Sequence, residues 1–176
     1  MVQLDEGRPA VLKDGRRITI RQYRPADKEQ LVSMYAQLSE DSLRWGMPPY
    51  NRERIDRFTA DPEHKIIVVA QDKDRIVGHM QIGIATNARF RGIGELFIYL
   101  HQDFQNVGLG TAMMREGLGQ ARARKLHRVE LSVVAENQRG IRSYEKVGFQ
   151  REGVKRENYL GEDGKYYDEI LMGILL

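Results

Sequence analysis

Gly108 and Gly110 stand between an apolar run, Glu95-Leu96-Phe97-Ile98-Tyr99-Leu100, and a stretch with helical spacing that reaches about Lys125. A helix start exposes N–H groups that no earlier carbonyl can satisfy, and it carries a partial positive charge. Glycine lets such a backbone come close to an anion, because no side chain intervenes. The turn Gln105-Asn106-Val107-Gly108-Leu109-Gly110-Thr111 therefore suits a pyrophosphate. The same glycines serve equally well if they only permit a tight strand-to-helix connection. The turn is neither the G-x-G-x-x-G of dinucleotide-binding proteins nor the G-K-[ST] phosphate loop, so both of those readings fall.

The remaining chemistry-bearing side chains are a few acids and phenols. Glu95 is the only acid in the apolar run; the plain alternative is an exposed glutamate at a strand end. Glu130 is a weaker acidic candidate on the polar face of the next strand. On a helix, Asn137, Ile141 and Tyr144 share one face through steps of four and three. Asn137 is also a good helix N-cap, and Tyr144 fits an ordinary core position. His64, His79, His101 and His127 form no metal-like pair, and there are no cysteines. Disulfides, thiolate zinc sites and a cysteine nucleophile are therefore excluded, and no metal is expected.

These residues need a scaffold, and 176 residues supply one domain, 1–176, with a real core. Residues 1–9 are expected to be a flexible segment. The 30% charged and 41% hydrophobic content is that of an ordinary globular protein. A net charge of +3, with bases interleaved among acids as in Arg52-Glu53-Arg54, argues against a nucleic-acid partner. No apolar run approaches the roughly 18 residues of a membrane helix, so no membrane partner is expected. The acidic, polar start Met1 to Glu6 lacks the basic segment and apolar stretch of a secretion signal, and the lack of cysteines fits a cytoplasmic address.

Along the chain, Val11 to Ile18 predicts a hairpin turning at Asp14-Gly15, with its second strand continuing through Ile20 to Gln22. Pro25-Ala26-Asp27 opens a helix, with Leu31, Met34, Tyr35 and Leu38 facing the core. Ser42 to Tyr50 is expected to be a loop, and 52–59 a second helix. Two strands, 66–70 and 75–84, turn at Asp72-Lys73-Asp74. The run from Glu95 to Leu100 suggests a strand buried on both faces. After the glycine turn and its helix come a strand around 129–133, a helix over 137–147, and a closing hairpin of strands 155–160 and 170–175. Strands and helices are mixed around one sheet, without the regular alternation of a doubly wound fold.

Two segments together carry a family resemblance. Gln105-Asn106-Val107-Gly108-Leu109-Gly110 resembles motif A of the GNAT superfamily, Q/R-x-x-G-x-G/A. Asn137, followed by Tyr144-Glu145-Lys146-Val147-Gly148-Phe149, resembles that family's second signature, N…Y-x-K-x-G-F. Order and separation also match, and the likeness extends over nearly the whole chain. It implies an α/β (α+β) fold: a mixed, mostly antiparallel sheet of about seven strands with splayed central strands, flanked by about four helices. It implies acetyl-CoA as cosubstrate, an amine acceptor, and a possible homodimer.

By the same resemblance, the pantetheine arm pairs with Ile98, Tyr99 and Leu100, and the pyrophosphate rests on amides from Asn106 to Thr111. Gln105 replaces a frequent arginine, so backbone donors carry more of the binding. Asn137 is implied as a contact to the cofactor arm. Glu95 aligns with the glutamate that Pat-type enzymes use as general base, acting here through water. Tyr144 matches the family tyrosine that serves as acid for the sulfur, although Pat-type domains often lack it. A backbone N–H near Ile98 to Leu100 is the implied donor to the developing oxyanion. Trp45, Met47 and Tyr50 either border the acceptor or pack between helices. The start, from Asp14 to Ser42, is similar to Pat-type protein lysine acetyltransferase domains; the tail is more similar to small-molecule and N-terminal acetyltransferases. Both acceptor classes stay open, and a non-catalytic acetyl-CoA-binding module is the rival from another class.

Overall fold

Strand β1 (Arg8–Val11) and strand β2 (Arg17–Gln22) form the first hairpin. Gly15 supplies the positive φ of 86° that its turn requires. The computed structural model describes residues 7–176. The flexible segment expected over 1–9 lies outside the described residues as far as Glu6. At Arg8 and Pro9 the expectation gives way to pairing with Ile20 and Thr19. Pro9 is tolerated because β1 is an edge strand, where a missing N–H costs no ladder bond.

A 3-10 turn at Pro25–Asp27 leads into helix α1 (Lys28–Ala36). The segment expected as loop contains a one-turn helix, α2 (Glu40–Leu43), because the Ser39 hydroxyl accepts from the Ser42 N–H and caps it. Helix α3 (Arg52–Thr59) follows, capped by Asn51. Strands β3 (Lys65–Asp72), β4 (Arg75–Ile84) and β5 (Ile93–Leu100) come next. Then follow α4 (Leu109–Ala123), β6 (Arg128–Val134) and α5 (Gln138–Lys146). Strands β7 (Gln150–Leu160) and β8 (Tyr166–Leu175) close the chain. They start earlier than their alternation predicts, because β7 is exposed along most of its length and shows no period-two pattern.

Among the described residues, eight strands form one sheet in the order β1-β2-β3-β4-β5-β6-β8-β7. Every pair is antiparallel except β5 with β6. Helices α4 and α5 cover one face over a core that includes Met80, Ile82, Met113, Leu118 and Val129. Gly117 allows that closeness: a Cβ there would lie 1.9 Å from the Met80 Cε. Helices α1 and α3 cover the other face through Leu31, Met34, Tyr35 and Ile55, against Val69, Phe97 and Tyr99. A buried ion pair anchors that side: Arg21 donates to both Asp27 oxygens at 2.7 and 2.8 Å. Among the described residues, no helix is long and apolar enough to cross a membrane.

Candidate active site

The parallel pair creates the site by ending early. Its register runs Ile93 to Arg128, Gly94 to Val129 and Glu95 to Glu130, and stops there. Strand β5 continues to Leu100 along β4, while β6 continues to Val134 along β8. The two strands therefore diverge, and residues 96–100 have no strand partner on that edge among the described residues. Phe97 to Leu100 are half-buried rather than buried on both faces, because they border the gap. Their apolar character reflects a cleft wall as well as a core.

A cavity of about 840 Å³ fills the divergence. Most residues singled out from the sequence line it: Glu95, Ile98, Tyr99, Leu100, Gln105, Asn106, Gly108, Gly110, Thr111, Asn137 and Tyr144. Val107 and Leu109 do not. Val107 turns its carbonyl to the Lys13 N–H at 3.0 Å, and the Leu109 side chain is buried in the core.

At the cavity's α4 end, Gly108 is the helix N-cap with φ 90°, a conformation that strains other residues. The first-turn amides after it, Leu109 to Thr111, have no preceding helical carbonyl to pair with. A Cβ on Gly110 would come within 3.3 Å of the Leu100 Cδ1. The Gln105 amide is engaged elsewhere: it donates to the Ser42 hydroxyl at 3.0 Å and the Leu100 carbonyl at 3.2 Å. It ties α2 to the end of β5 and leaves the helix amides to face an anion. Asn137 acts as an N-cap, accepting from the Gly140 N–H at 3.0 Å, while still lining the cavity.

Tyr144 lies with its ring edge toward Phe149, the centroids 6.0 Å apart. Burial pushes its phenol up to about 12. Its hydroxyl has no hydrogen-bond partner among the described residues. Glu95 is exposed on the opposite face of the sheet, alongside Phe97 and Tyr99 by alternation, and its carboxylate makes no hydrogen bond or ion pair among the described residues. Glu130 is not in the cavity; the Arg128 Nε donates to it at 3.0 Å.

Trp45 and Met47 line the cavity and Tyr50 does not. Tyr50 packs between α1, α3 and β5, its ring centroid 5.0 Å from those of both Tyr35 and Tyr99. Its hydroxyl donates to Tyr99 and accepts from the Met47 N–H. Burial, with Tyr50 beside it, holds the Tyr99 phenol far above its ordinary range. His79 is fully buried, bonded to the Tyr35 hydroxyl at 2.8 Å, and burial depresses its pKa to about 3. It is a neutral core residue. No metal-binding cluster occurs among the described residues.

Four cations on the cavity wall, Lys13, Arg139, Arg142 and Lys146, receive no role from the sequence, Lys146 being noted only as part of the second signature. The last three were findable, since steps of three and four put them on one face of α5. Lys13 was not, because only the fold brings the first hairpin to Gly108, where a Cβ would lie 3.7 Å from the Lys13 Cγ.

The acetyl-CoA expected here fits these residues: the glycine cradle, the cations beside it and the unpaired strand edge match diphosphate and amide groups. The model for the acetyltransferase (GNAT) family matches residues 31–149. The L-amino acid N-acetyltransferase AaaT of Escherichia coli K12 is 28% identical over 157 residues, spanning 88% of this chain and 96% of the relative. A GNAT-family acetyltransferase structure from Streptococcus pneumoniae superposes with a TM-score of 0.79 at 29% identity, covering 90% of this chain and 99% of that one. The structure of yncA from Salmonella typhimurium, which contains acetyl-CoA, superposes at 0.79 with 20% identity, covering 90% and 94%.

Proposed function

The chain belongs to the GNAT acetyltransferase family, and on that premise we propose that it moves acetyl from acetyl-CoA to a primary amine by direct attack in a ternary complex. The observation that carries this reading is the divergence of β5 from β6 after Glu95, with a glycine-capped helix at one end of the gap. The bound cosubstrate supplies a thioester carbonyl and a thiol leaving group. The residues of this chain do the rest.

The first-turn amides of α4 hold the diphosphate, with Lys13 and the α5 cations adding charge. The free edge of β5 at Ile98 to Leu100 pairs with the amides of the pantetheine arm, as an added strand would. A backbone N–H in the same stretch donates to the oxygen on which negative charge develops. An amine must be neutral to attack, yet a free lysine has a pKa of about 10.4. Glu95, exposed and without a partner, accepts that proton through water. Tyr144 donates a hydrogen bond to the departing sulfur, and its raised pKa keeps it protonated for that task.

The acceptor is a small amine or a protein amine; the relative named for L-amino acids puts free amino acids in the first group. The test is thiol release from acetyl-CoA by the purified protein across amino acids, polyamines and peptides with a lysine or a free N-terminus. Release that depends on one amine, with the acetylated amine as co-product, supports the proposal. Tight acetyl-CoA binding without release on any amine would instead mark a non-catalytic binding module.

A further inference from the structure

The cavity is electrically polarised. Its cations, Lys13, Arg139, Arg142 and Lys146, come from the first hairpin and from α5. Its carboxylates, Asp41, Glu95 and Glu169, come from α2, β5 and β8. Glu95 shares its face of the sheet with Phe97 and Tyr99, opposite the α4 and α5 side. Glu169 accepts from the Ser132 hydroxyl at 3.2 Å and from Asn158, which fixes its carboxylate at the wall. The Gln81 Oε1, on the strand paired with Phe97, is buried and has no hydrogen-bond partner among the described residues. Among the lining residues, no lysine, arginine or histidine comes from α2, β5 or β8; the Arg44 guanidinium, behind that wall, lies over the Trp45 ring at 5.2 Å.

The same half is walled by aromatic rings, Trp45, Phe97, Tyr99 and Tyr159. Ring faces attract ammonium groups, most strongly where water is excluded. A strap partly covers it. The Tyr159 hydroxyl donates to the Gly46 carbonyl at 2.7 Å, and the Trp45 ring meets Tyr167 edge-on at 5.2 Å. A bulge in β7 brings Tyr159 there: pairing with β8 shifts register between Lys155 and Tyr159, and Glu157 takes φ 51°. The strap narrows the opening on this side.

We infer that the acceptor is a small aliphatic amine that carries a second positive charge and no carboxylate, the diamine and polyamine class. One ammonium loses its proton and attacks; the other stays charged among the rings and Glu169. A carboxylate on the acceptor would meet acids and ring faces, with no cation from α2, β5 or β8 on the cavity lining to pair it. This inference rests on the transferase reading above.

The test compares three acceptors: 1,4-diaminobutane, ornithine (the same diamine plus a carboxylate) and butylamine, which lacks the second charge. Binding to the CoA-loaded protein is measured by calorimetry, and turnover by thiol release. The diamine should exceed both others in affinity and in kcat/KM by roughly tenfold or more, the effect of one charge-assisted hydrogen bond. Glu169→Gln should remove most of the diamine's advantage over butylamine and leave acetyl-CoA affinity unchanged. Equal binding of all three, or faster turnover of ornithine or butylamine than of the diamine, overturns the inference and leaves the transferase standing. Selective diamine binding without thiol release from any amine would do the reverse.

Discussion

Tyr144→Phe removes one hydroxyl and leaves the ring against Phe149. The phenol sits at about 12, whereas a thiol ionises near about 8.5. Full proton transfer to the departing sulfur would thus be uphill by about 3.5 units, or about 5 kcal/mol. Donating a hydrogen bond to the growing thiolate avoids that cost and contributes about 1.5–3 kcal/mol. At 1.36 kcal/mol per tenfold, kcat should fall roughly 10- to 150-fold. Acetyl-CoA affinity should barely change, and so should stability, because the hydroxyl bonds to no described residue. Single-turnover thiol release, calorimetry with acetyl-CoA and a melting curve measure the three quantities. A kcat within twofold of the parent, or a loss that tracks acetyl-CoA affinity, would refute this role for the phenol. It is also refuted if the parent shows a rate decline centred below about pH 10 that vanishes in Tyr144→Phe, since a phenol raised by burial stays protonated there.

Three other substitutions probe separate parts of the molecule. Gly108→Glu forces a side chain onto φ 90° and an anion beside the diphosphate; calorimetry should detect no acetyl-CoA binding, and normal affinity would remove the cradle. Glu95→Gln should slow turnover by about a hundredfold and alter its pH dependence, with acetyl-CoA affinity near normal; an unchanged pH–rate profile would count against this base. Asp27→Ala leaves Arg21 buried without a carboxylate, its remaining bonds going to the neutral Gln71 and Gln22 oxygens; both side chains are only 8% exposed, and the change should cost about 3–5 kcal/mol in a urea titration. Burial tends to raise the Asp27 pKa, but hydrogen bonds from Arg21 and the Arg24 N–H outweigh it and hold it below its ordinary value. Its contribution is therefore complete above the unfolded carboxylate range near about 4 and lost as pH falls through the lower folded value. The variant should lack that share of the parent's acid sensitivity.

Elements with a strong period were legible from the chain alone. Leu31, Met34 and Tyr35 mark the buried stripe of α1, and Val129, Leu131 and Val133 the core face of β6. The glycine turn was legible because backbone conformation is written locally, in Gly108. Weak local signals failed: α2 is one turn held by Ser39, and most of β7 faces solvent. The divergence after Glu95 has no local signature, since it depends on which residues of two distant strands stop pairing. The sequence could equally well place Tyr50 at the acceptor or between helices. Its bond to Tyr99 decides for packing, with Met47 left at the wall.

The brevity of the parallel seam has a mechanical consequence. Three residue pairs join a wing of five strands to a wing of three. Within each wing, neighbours are laced antiparallel along longer registers. Any relative motion of the wings would have to bend the seam at Ile93 to Glu95, where the fewest ladder bonds join them. A molecule lying in the gap and bonding to both margins acts as a rivet, so amide hydrogens bordering the gap should exchange with deuterated water more slowly once it is in place, while those deep in either wing change little.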